Sequence, residues 1–199
     1  RGVNPFETNT PWTLRELLFV LPMTPVVAAR IALLAVVVPT ACLLVSISGI
    51  LPFRFRAYFR HALKVCARLV LFAFGYWRIA EEGLSEHGSA AVGVICGAPH
   101  VSLLDVFYFA YRWMPTFVAK KDVRELPVMG FLGVALGALF IDRNADPETK
   151  AGYKQAISDI ASNPGLPPLI LFPEGTCTNG KALITFKRGT FEPGLPILP

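Results

Sequence analysis

Two residues with acid–base side chains, His100 and Asp105, stand five positions apart in this chain of 199 residues. They follow an apolar run typical of a buried strand, and Ser102 between them is a good first residue for a helix. If Ser102 caps a helix, Asp105 lies in its first turn and can reach back to the imidazole. A carboxylate that holds one ring N–H leaves the other ring nitrogen free to take a proton from a hydroxyl. The spacing therefore predicts a catalytic base and its orienting partner.

The same residues also have a purely structural interpretation. Ser102 and Asp105 have the spacing of a capping box, in which two side chains satisfy the backbone N–H groups at a helix start, here with Asp in place of the usual Glu. Such a cap needs no catalysis. Taken alone, the pair leaves both interpretations open.

Three further groups of polar residues follow apolar runs. The loop 172–177, Phe-Pro-Glu-Gly-Thr-Cys, can present backbone N–H groups to a phosphate or an oxyanion, although it lacks the Gly-Lys-Ser/Thr ending of a P-loop. Asp142-Arg143 and the segment 186–189, Phe-Lys-Arg-Gly, place cations where a phosphate-bearing substrate needs them. The alternative for each cation is a surface salt bridge, which is the preferred interpretation for Arg188.

The elements that must position these groups alternate between strand and helix patterns. The predicted strands are 91–96, 116–119, 138–141 and 169–172, and the predicted helices are 102–112, 128–137 and 147–162. The last helix has a clear beginning, with Asp146 as N-cap and Pro147 at the first helical position. This alternation predicts an α/β fold, a mostly parallel sheet flanked by helices, with the polar groups on loops at one edge.

An N-terminal membrane-embedded helical arm is predicted before this domain. Residues 1–24 are interpreted as a polar lead-in segment, and residues 31–51 carry no charge. As a helix, the uncharged run would be about 32 Å long, enough to cross a hydrocarbon core of roughly 30 Å, with a kink at Pro39. The alternative is a helix buried in a protein core. The predicted division is a lead-in segment at 1–24, the arm at 25–80 and a catalytic domain at 81–199.

A basic stripe follows the uncharged run. Arg56, Arg60, Lys64 and Arg68 recur every four residues and share one side of a helix. Six basic residues and no acidic one lie in 52–80, which favours contact with phospholipid headgroups, either by a helix in the interface or by the second arm of a shallow hairpin. The alternative is a surface helix with a solvated basic face. If the uncharged run spans a membrane, the basic excess after it predicts a cytosolic catalytic domain.

Composition narrows the classes of function. Hydrophobic residues make up 53% of the chain, above the roughly 45–50% of soluble domains, so part of the apolar surface should meet lipid or a partner. No nucleic-acid-binding motif accompanies the net charge of +5, which argues against a nucleic-acid partner. Cys42, Cys66, Cys96 and Cys177 are widely spaced and form no metal-binding pattern with histidine. The chain begins with Arg1 rather than Met, and we interpret it as a piece of a longer protein.

Four blocks, taken in order, resemble the four motifs of the glycerolipid acyltransferase family, which includes 1-acylglycerol-3-phosphate acyltransferases. The blocks are His-x-x-x-x-Asp at 100–105, Gly-Ala-Leu-Phe-Ile-Asp-Arg at 137–143, Phe-Pro-Glu-Gly-Thr at 172–176 and the proline-flanked 195–199. Within that family the sequence looks most like lysophosphatidylcholine acyltransferases, because of Ala98-Pro99 beside the first block and Cys177-Thr178-Asn179 after the third.

The resemblance implies a role for each block. His100 would be the general base and Asp105 its partner. The acceptor's glycerophosphate would be held by Arg143 and the loop of Glu174, with Glu174 itself orienting Arg143. The strand that follows the fourth block in the family would be cut off at Pro199. The expected substrate-binding residues are Arg143, Glu174, Gly175, Thr176 and Lys187.

The resemblance also implies substrates and a location. The donor would be acyl-CoA, a co-substrate attacked directly at its thioester, with no cofactor and no metal. The acceptor would be a lysophospholipid, with lysophosphatidylcholine favoured and lysophosphatidic acid as the alternative. Membrane lipids would be partners, most simply in the endoplasmic reticulum, with the Golgi and the lipid droplet as other sites. No segment looks like an EF-hand loop, so no calcium site is implied.

Two functions of other classes stay open. A hydrolase would use Cys177 or a serine as nucleophile with His100, but the sequence has no G-x-S-x-G motif and no histidine beside Cys177. A non-catalytic membrane scaffold would use the basic stripe to bind anionic lipid, and His100 would then play no part in its activity.

Overall fold

The computed structural model describes Asn4 and residues 13–50, 56–82 and 93–198. In this part of the chain, two N-terminal helices precede an α/β domain. The helices are α1 (Leu14–Ile50), α2 (Arg56–Ala73), α3 (Leu103–Arg112), α4 (Pro127–Ala135) and α5 (Pro147–Ser162). The strands are β1 (Val94–Cys96), β2 (Thr116–Lys120), β3 (Leu139–Ile141), β4 (Leu169–Leu171) and β5 (Ile197–Leu198). Short 3₁₀ turns cover Lys121–Glu125 and Arg188–Thr190.

The strands form one sheet in the order β3-β2-β4-β1-β5, and every pair is parallel. The prediction of a mostly parallel sheet flanked by helices is confirmed, although residues 91 and 92 of the first predicted strand lie outside the described residues. Within the fourth block, Ile197 and Leu198 pair with Val94 and Ile95 at the edge of the sheet, and the expectation that a further strand is cut off at Pro199 stays a prediction. Pro199 itself lies outside the described residues.

The order of the strands determines which loops meet. β1 and β4 are neighbours, with Ile95 opposite Ile170, and both side chains are buried. Loops that follow parallel strands leave the sheet at the same edge. The loop after β1, which carries His100, and the loop after β4, which carries Glu174, therefore face each other.

Helix α5 begins and ends where the sequence predicts. Asp146 Oδ1 accepts the N–H of Thr149 at 2.9 Å, and Pro147 occupies the first turn, where its missing N–H costs nothing. On its inner side, Ile157 and Ala161 pack with Leu169 of β4 in one buried cluster. This packing covers one face of the sheet and holds the central strand in place.

Helix α1 begins earlier than expected. Residues 1–24 are predicted to be a polar lead-in segment, yet the helix starts at Leu14, while 1–3 and 5–12 lie outside the described residues. The reason is a capping box: Glu16 Oε2 accepts the N–H of Thr13 at 2.6 Å, and Thr13 Oγ1 accepts the N–H of Glu16 at 3.3 Å. Pro22, Pro25 and Pro39 all lie inside the helix.

The outer side of α1 is apolar and exposed. Among the described residues, one helical stretch is long and apolar enough to cross a membrane, Pro22–Ile50, with a mean hydropathy of 2.5. Only 17% of its most apolar window is buried, which argues against the alternative of a core helix. The inner side contacts the rest of the protein, since Val37, Ala41 and Val45 cluster with Leu63 of α2.

The basic stripe on α2 is engaged inside the protein. Arg60 Nη2 donates to the carbonyl of Met114 at 3.1 Å, and Lys64 Nζ donates to the carbonyl of Arg112 at 3.0 Å. These carbonyls lie at the C-terminal end of α3, where backbone oxygens lack helical partners and the helix dipole favours a cation. Arg68 donates to two carbonyls of the turn after α2, at 2.9 and 2.7 Å.

These hydrogen bonds give Arg60, Lys64 and Arg68 partners within the chain. Periodicity shows that the three share a side of α2, but it does not show that α3 and the turn after α2 lie against that side. None of the three side chains is fully buried, so contact of the stripe with lipid headgroups stays a prediction. The side chain of Arg56 lies outside the described residues.

We predict that Lys64→Met lowers the free energy of unfolding by about 1 kcal/mol, because a partly exposed charged hydrogen bond to the end of α3 is lost. Urea unfolding in detergent measures this, with the exposed Arg78→Met as the control. A variant with wild-type stability but weaker liposome binding would show that Lys64 contacts headgroups instead.

Candidate active site

The loop after β1 brings His100 and Asp105 together. His100 Nδ1 lies 2.9 Å from Asp105 Oδ2, and the same oxygen accepts the backbone N–H groups of Val101 at 2.9 Å and Ser102 at 3.0 Å. Ser102 is the N-cap of α3, and its Oγ accepts the N–H of Leu104 at 2.9 Å. The capping box and the acid–base pair therefore exist at the same time, and one carboxylate serves both.

Asp105 is held in its ionised form. Burial alone would raise the pKa of this carboxyl, but the hydrogen bonds from His100 and from the backbone of Ser102 and Val101 outweigh burial and lower the pKa below its usual value. A carboxylate in this state fixes the proton of His100 on Nδ1. Nε2 is then the nitrogen available to accept a proton from a substrate.

The loop after β4 holds His100 on its other sides. The imidazole stacks on the ring of Phe172, with the two centroids 3.9 Å apart. The side chain of Glu174 is buried, and its Oε2 accepts the backbone N–H of His100 at 3.1 Å. The N–H of Thr178 donates to the carbonyl of His100 at 2.8 Å. The backbone and ring of the predicted base are thus fixed by a neighbouring loop as well as by Asp105.

The sequence led us to expect that Glu174 orients Arg143, and the structure does not show this contact. Arg143 Nη2 donates instead to the carbonyl of Gly175. Glu174 Oε1 is buried and has no hydrogen-bond partner among the described residues. The side chain points back under the loop of His100, so its contact is with the base and not with the cation.

Three cations gather where β2, β3 and β4 end. Lys120, Arg143 and Lys187 line the same cavity, and burial together with the charges of Arg143 and Lys120 lowers the pKa of Lys187. Gly175 lies between them with φ of +67°, and a side chain there would come within 3.0 Å of Lys187 Nζ and 3.1 Å of Arg143 Nη2. This cluster suits a phosphate group.

Sequence reasoning missed Lys120 in this cluster. It ends β2 directly after an apolar run, which is the same signal that singled out Asp142 and Arg143. Arg188, in contrast, does not line the cavity described below, and the surface salt bridge preferred for it stays a prediction. Within the described residues, no three His, Cys, Asp or Glu side chains are arranged to hold a metal ion.

One cavity of about 810 Å³ joins these parts. His100 lies in its wall, and the rest of the lining comprises a charged end and an apolar end. The charged end includes Lys120, Arg143 and Lys187, with Gly175 and Thr176 beside them. The apolar end is lined by side chains from four helices, among them Val37, Leu63, Cys66, Phe107 and Leu132. A ligand that fills this cavity must be charged at one end and apolar at the other.

Cys177 lies at the free nitrogen of the base. Its Sγ is 3.1 Å from His100 Nε2, although no histidine stands beside Cys177 in the sequence, because two loops 77 positions apart meet at the sheet edge. Partial burial raises the pKa of the thiol, as do the charges of Asp105 and Glu174, while Lys120 acts against them. The thiol therefore stays protonated near neutral pH.

The comparisons with known proteins identify the class. A family model described as Acyltransferase matches residues 81–199. Lysophospholipid acyltransferase LPEAT2 from Arabidopsis thaliana is 31% identical over 99% of this chain and 38% of its own length. Lysophosphatidylcholine acyltransferase 1 from Rattus norvegicus is 34% identical over 69% of this chain and 25% of its own length. The chain therefore belongs to the glycerolipid acyltransferase family, close to the lysophosphatidylcholine acyltransferases.

A solved structure shows the same fold. The crystal structure of the 1-acyl-sn-glycerophosphate (LPA) acyltransferase PlsC from Thermotoga maritima matches with a TM-score of 0.64 over 92% of this chain and 73% of that one, at 18% identity. The chain thus spans most of that structure but only 25% to 38% of the two relatives described above.

We predict that Asp105→Asn removes a pH-dependent part of the stability. Because the folded-state pKa lies below the unfolded value near 4, the stabilisation is complete above that value and is lost as the pH falls through the folded-state pKa. Urea unfolding at several pH values should therefore show the largest difference between wild type and variant above about pH 5, shrinking towards pH 3. The exposed Asp122→Asn is the control. A difference in stability that stays constant with pH would contradict a lowered pKa of Asp105 in the folded protein.

We predict that Glu174→Ala and Glu174→Gln behave differently. The alanine leaves the buried N–H of His100 without an acceptor, so stability should fall by about 1–3 kcal/mol and the rate constant of the reaction by at least tenfold, measured by urea unfolding and enzyme kinetics. The glutamine keeps an acceptor oxygen and should retain most of both. If Glu174 acted through its charge on Arg143, glutamine would raise the KM for the acceptor as much as alanine does.

Proposed function

We propose that the chain transfers a fatty acyl group from acyl-CoA to the free hydroxyl of a lysophospholipid, with His100 as the general base. The observation that carries the proposal is that His100, a cation cluster and an apolar group of side chains all line one cavity. A lysophospholipid and an acyl-CoA both combine phosphate with a fatty chain. The proposal places phosphate at Arg143, Lys187 and Lys120 and places a fatty chain among the side chains of α1 to α4.

The reaction follows from the hydrogen bonds of the base. His100 Nδ1 is held by Asp105, so Nε2 accepts the proton of the acceptor hydroxyl as that oxygen attacks the thioester carbonyl. Asp105 stabilises the imidazolium that forms. When the tetrahedral intermediate collapses, the C–S bond breaks and the imidazolium returns the proton to the CoA thiolate. No covalent acyl-enzyme is needed, and the acceptor hydroxyl displaces the thiol of Cys177 from Nε2.

The membrane supplies the substrates in this proposal. The exposed apolar side of α1 favours a membrane location for the enzyme, and we assign it to the endoplasmic reticulum, with the Golgi and the lipid droplet as alternatives. The active site faces the cytosol, where acyl-CoA is made available. The favoured acceptor is lysophosphatidylcholine, and the alternative is lysophosphatidic acid.

A second candidate function rests on Cys177. A thiol 3.1 Å from His100 Nε2, with Asp105 behind the imidazole, has the layout of a cysteine hydrolase. In that reaction the sulfur would attack the thioester, release CoA and hold the acyl group until water removes it. The raised pKa of the thiol makes this candidate weaker than direct transfer, because the thiolate is the nucleophile.

An acyl-transfer assay tests the proposal. Purified protein in liposomes receives labelled acyl-CoA with lysophosphatidylcholine, lysophosphatidylethanolamine or lysophosphatidic acid in turn. We expect a diacyl product with at least one acceptor, and a fall of about 10²–10⁴-fold in kcat for His100→Ala. His61→Ala, at an exposed position of α2, is the matched control and should keep full activity. Equal rates for wild type and His100→Ala would support the non-catalytic scaffold instead.

The same assay separates the two mechanisms through Cys177→Ala. Direct transfer predicts that this variant keeps most of its rate, since the thiol only occupies the place of the hydroxyl. A cysteine hydrolase predicts loss of turnover, labelled free fatty acid in the absence of acceptor, and label on the wild-type protein that is absent from the variant.

A further inference from the structure

Helix α4 is apolar on all of its sides. Its sequence, Pro-Val-Met-Gly-Phe-Leu-Gly-Val-Ala, carries no charge and no polar side chain. Met129 and Leu132 line the cavity. On the other side, Phe131 is 43% exposed and Val134 is 51% exposed. A helix without a polar side belongs in apolar surroundings, and the cavity supplies those surroundings on one side only.

Helix α4 lies beside the candidate membrane helix. Leu132 and Leu136 pack against the buried cluster that contains Val37 and Ala41 of α1. The outer surface of α1 is itself apolar, with Ile31 and other large side chains exposed. The exposed side of α4 therefore extends the apolar exterior of α1 onto the α/β domain.

We propose that α4 is a second lipid-contacting element, whose exposed face inserts among the acyl chains of one phospholipid leaflet. We call this surface the α4 face and define it by Phe131 and Val134 of α4 and by its N-cap Leu126, all of which are exposed and none of which lines the cavity. The occupant is a lipid leaflet because the face is continuous with α1.

Charged residues at the edge of the α4 face are compatible with a headgroup layer, but they do not provide the main attraction to the membrane. The turn before α4 carries Lys121, Asp122, Arg124 and Glu125, all exposed, so its charges balance. Lys121 Nζ lies 3.4 Å from an oxygen of Asp142. Binding through the α4 face should therefore depend on apolar contact and only weakly on anionic lipid or salt.

Helix α4 lies between the cavity and the proposed lipid contact. The residues of α4 that line the cavity and those that face outward are one helix width apart. With the face in lipid, the apolar end of the cavity is separated from the acyl chains of the leaflet by α4 alone. This inference rests on the membrane association of α1 and not on the acyl-transfer chemistry.

Fluorescence quenching tests the α4 face. Phe131→Trp and Val134→Trp each add a fluorophore to the full chain, which is reconstituted in vesicles of phosphatidylcholine brominated on its acyl chains. We expect the added emission, relative to wild type, to fall by about half compared with unbrominated vesicles, because the ring lies among acyl chains. The control is Ala151→Trp on the exposed polar side of α5, whose added emission should be unchanged. Thermal unfolding confirms that each variant is folded.

The outcomes separate this inference from the proposed function. If neither α4 variant is quenched more than the α5 control, α4 faces water and the inference is wrong, even where acyl transfer is intact. If both are quenched, the α4 face is in lipid, whether or not acyl transfer is observed. Replacing part of the phosphatidylcholine by anionic lipid should leave the quenching unchanged, and a strong dependence would contradict the apolar contact.

Discussion

A single oxygen atom, Oδ2 of Asp105, accepts hydrogen bonds from the His100 ring and from the backbone N–H groups of Val101 and Ser102. The atom fixes the start of α3, the path of the loop after β1 and the proton position on the base. These three features cannot vary independently, because any movement of the loop would break bonds to the same oxygen. The geometry of the site thus depends on how α3 begins. The three hydrogen-bond donors stabilise the negative charge of Asp105 against its partial burial.

The second constraint is the parallel sheet, which sets two loops against each other. β1 and β4 are neighbours, so Phe172 and Glu174 reach His100 although they lie more than 70 positions away in the chain. The ring of Phe172 excludes water from one face of the imidazole. Glu174 satisfies a backbone N–H that would otherwise be buried without a partner. His100 is therefore held by loops from both neighbouring strands, and its side chain lines the cavity.

Local signals in the sequence predict much of this structure. The N-cap at Asp146, the apolar runs and the spacing of His100 and Asp105 each depend on a few adjacent residues, and the structure reproduces them. Long-range relations are harder to predict. Periodicity places Arg60 and Lys64 on one side of α2 but does not show that the end of α3 lies against that side. Likewise, no local pattern brings Cys177 to His100. The early start of α1 was predictable in principle, from the Thr13 and Glu16 capping box.

The contacts between α2 and α3 join the N-terminal arm to the helix that carries Asp105, the partner of His100. Helix α3 is only 10 residues long: Ser102 and Asp105 secure its first turn, while Arg60 and Lys64 hold the carbonyls at its far end. A truncation designed to make the protein soluble, by removing both N-terminal helices, would leave those carbonyls without cations and uncover the apolar side of α3. The C-terminal end of α3 would then fray, and only the length of this short helix separates that end from His100. The hydrophobic arm thus supports the helix that begins beside His100, and detergent rather than deletion is the sound route to a folded preparation.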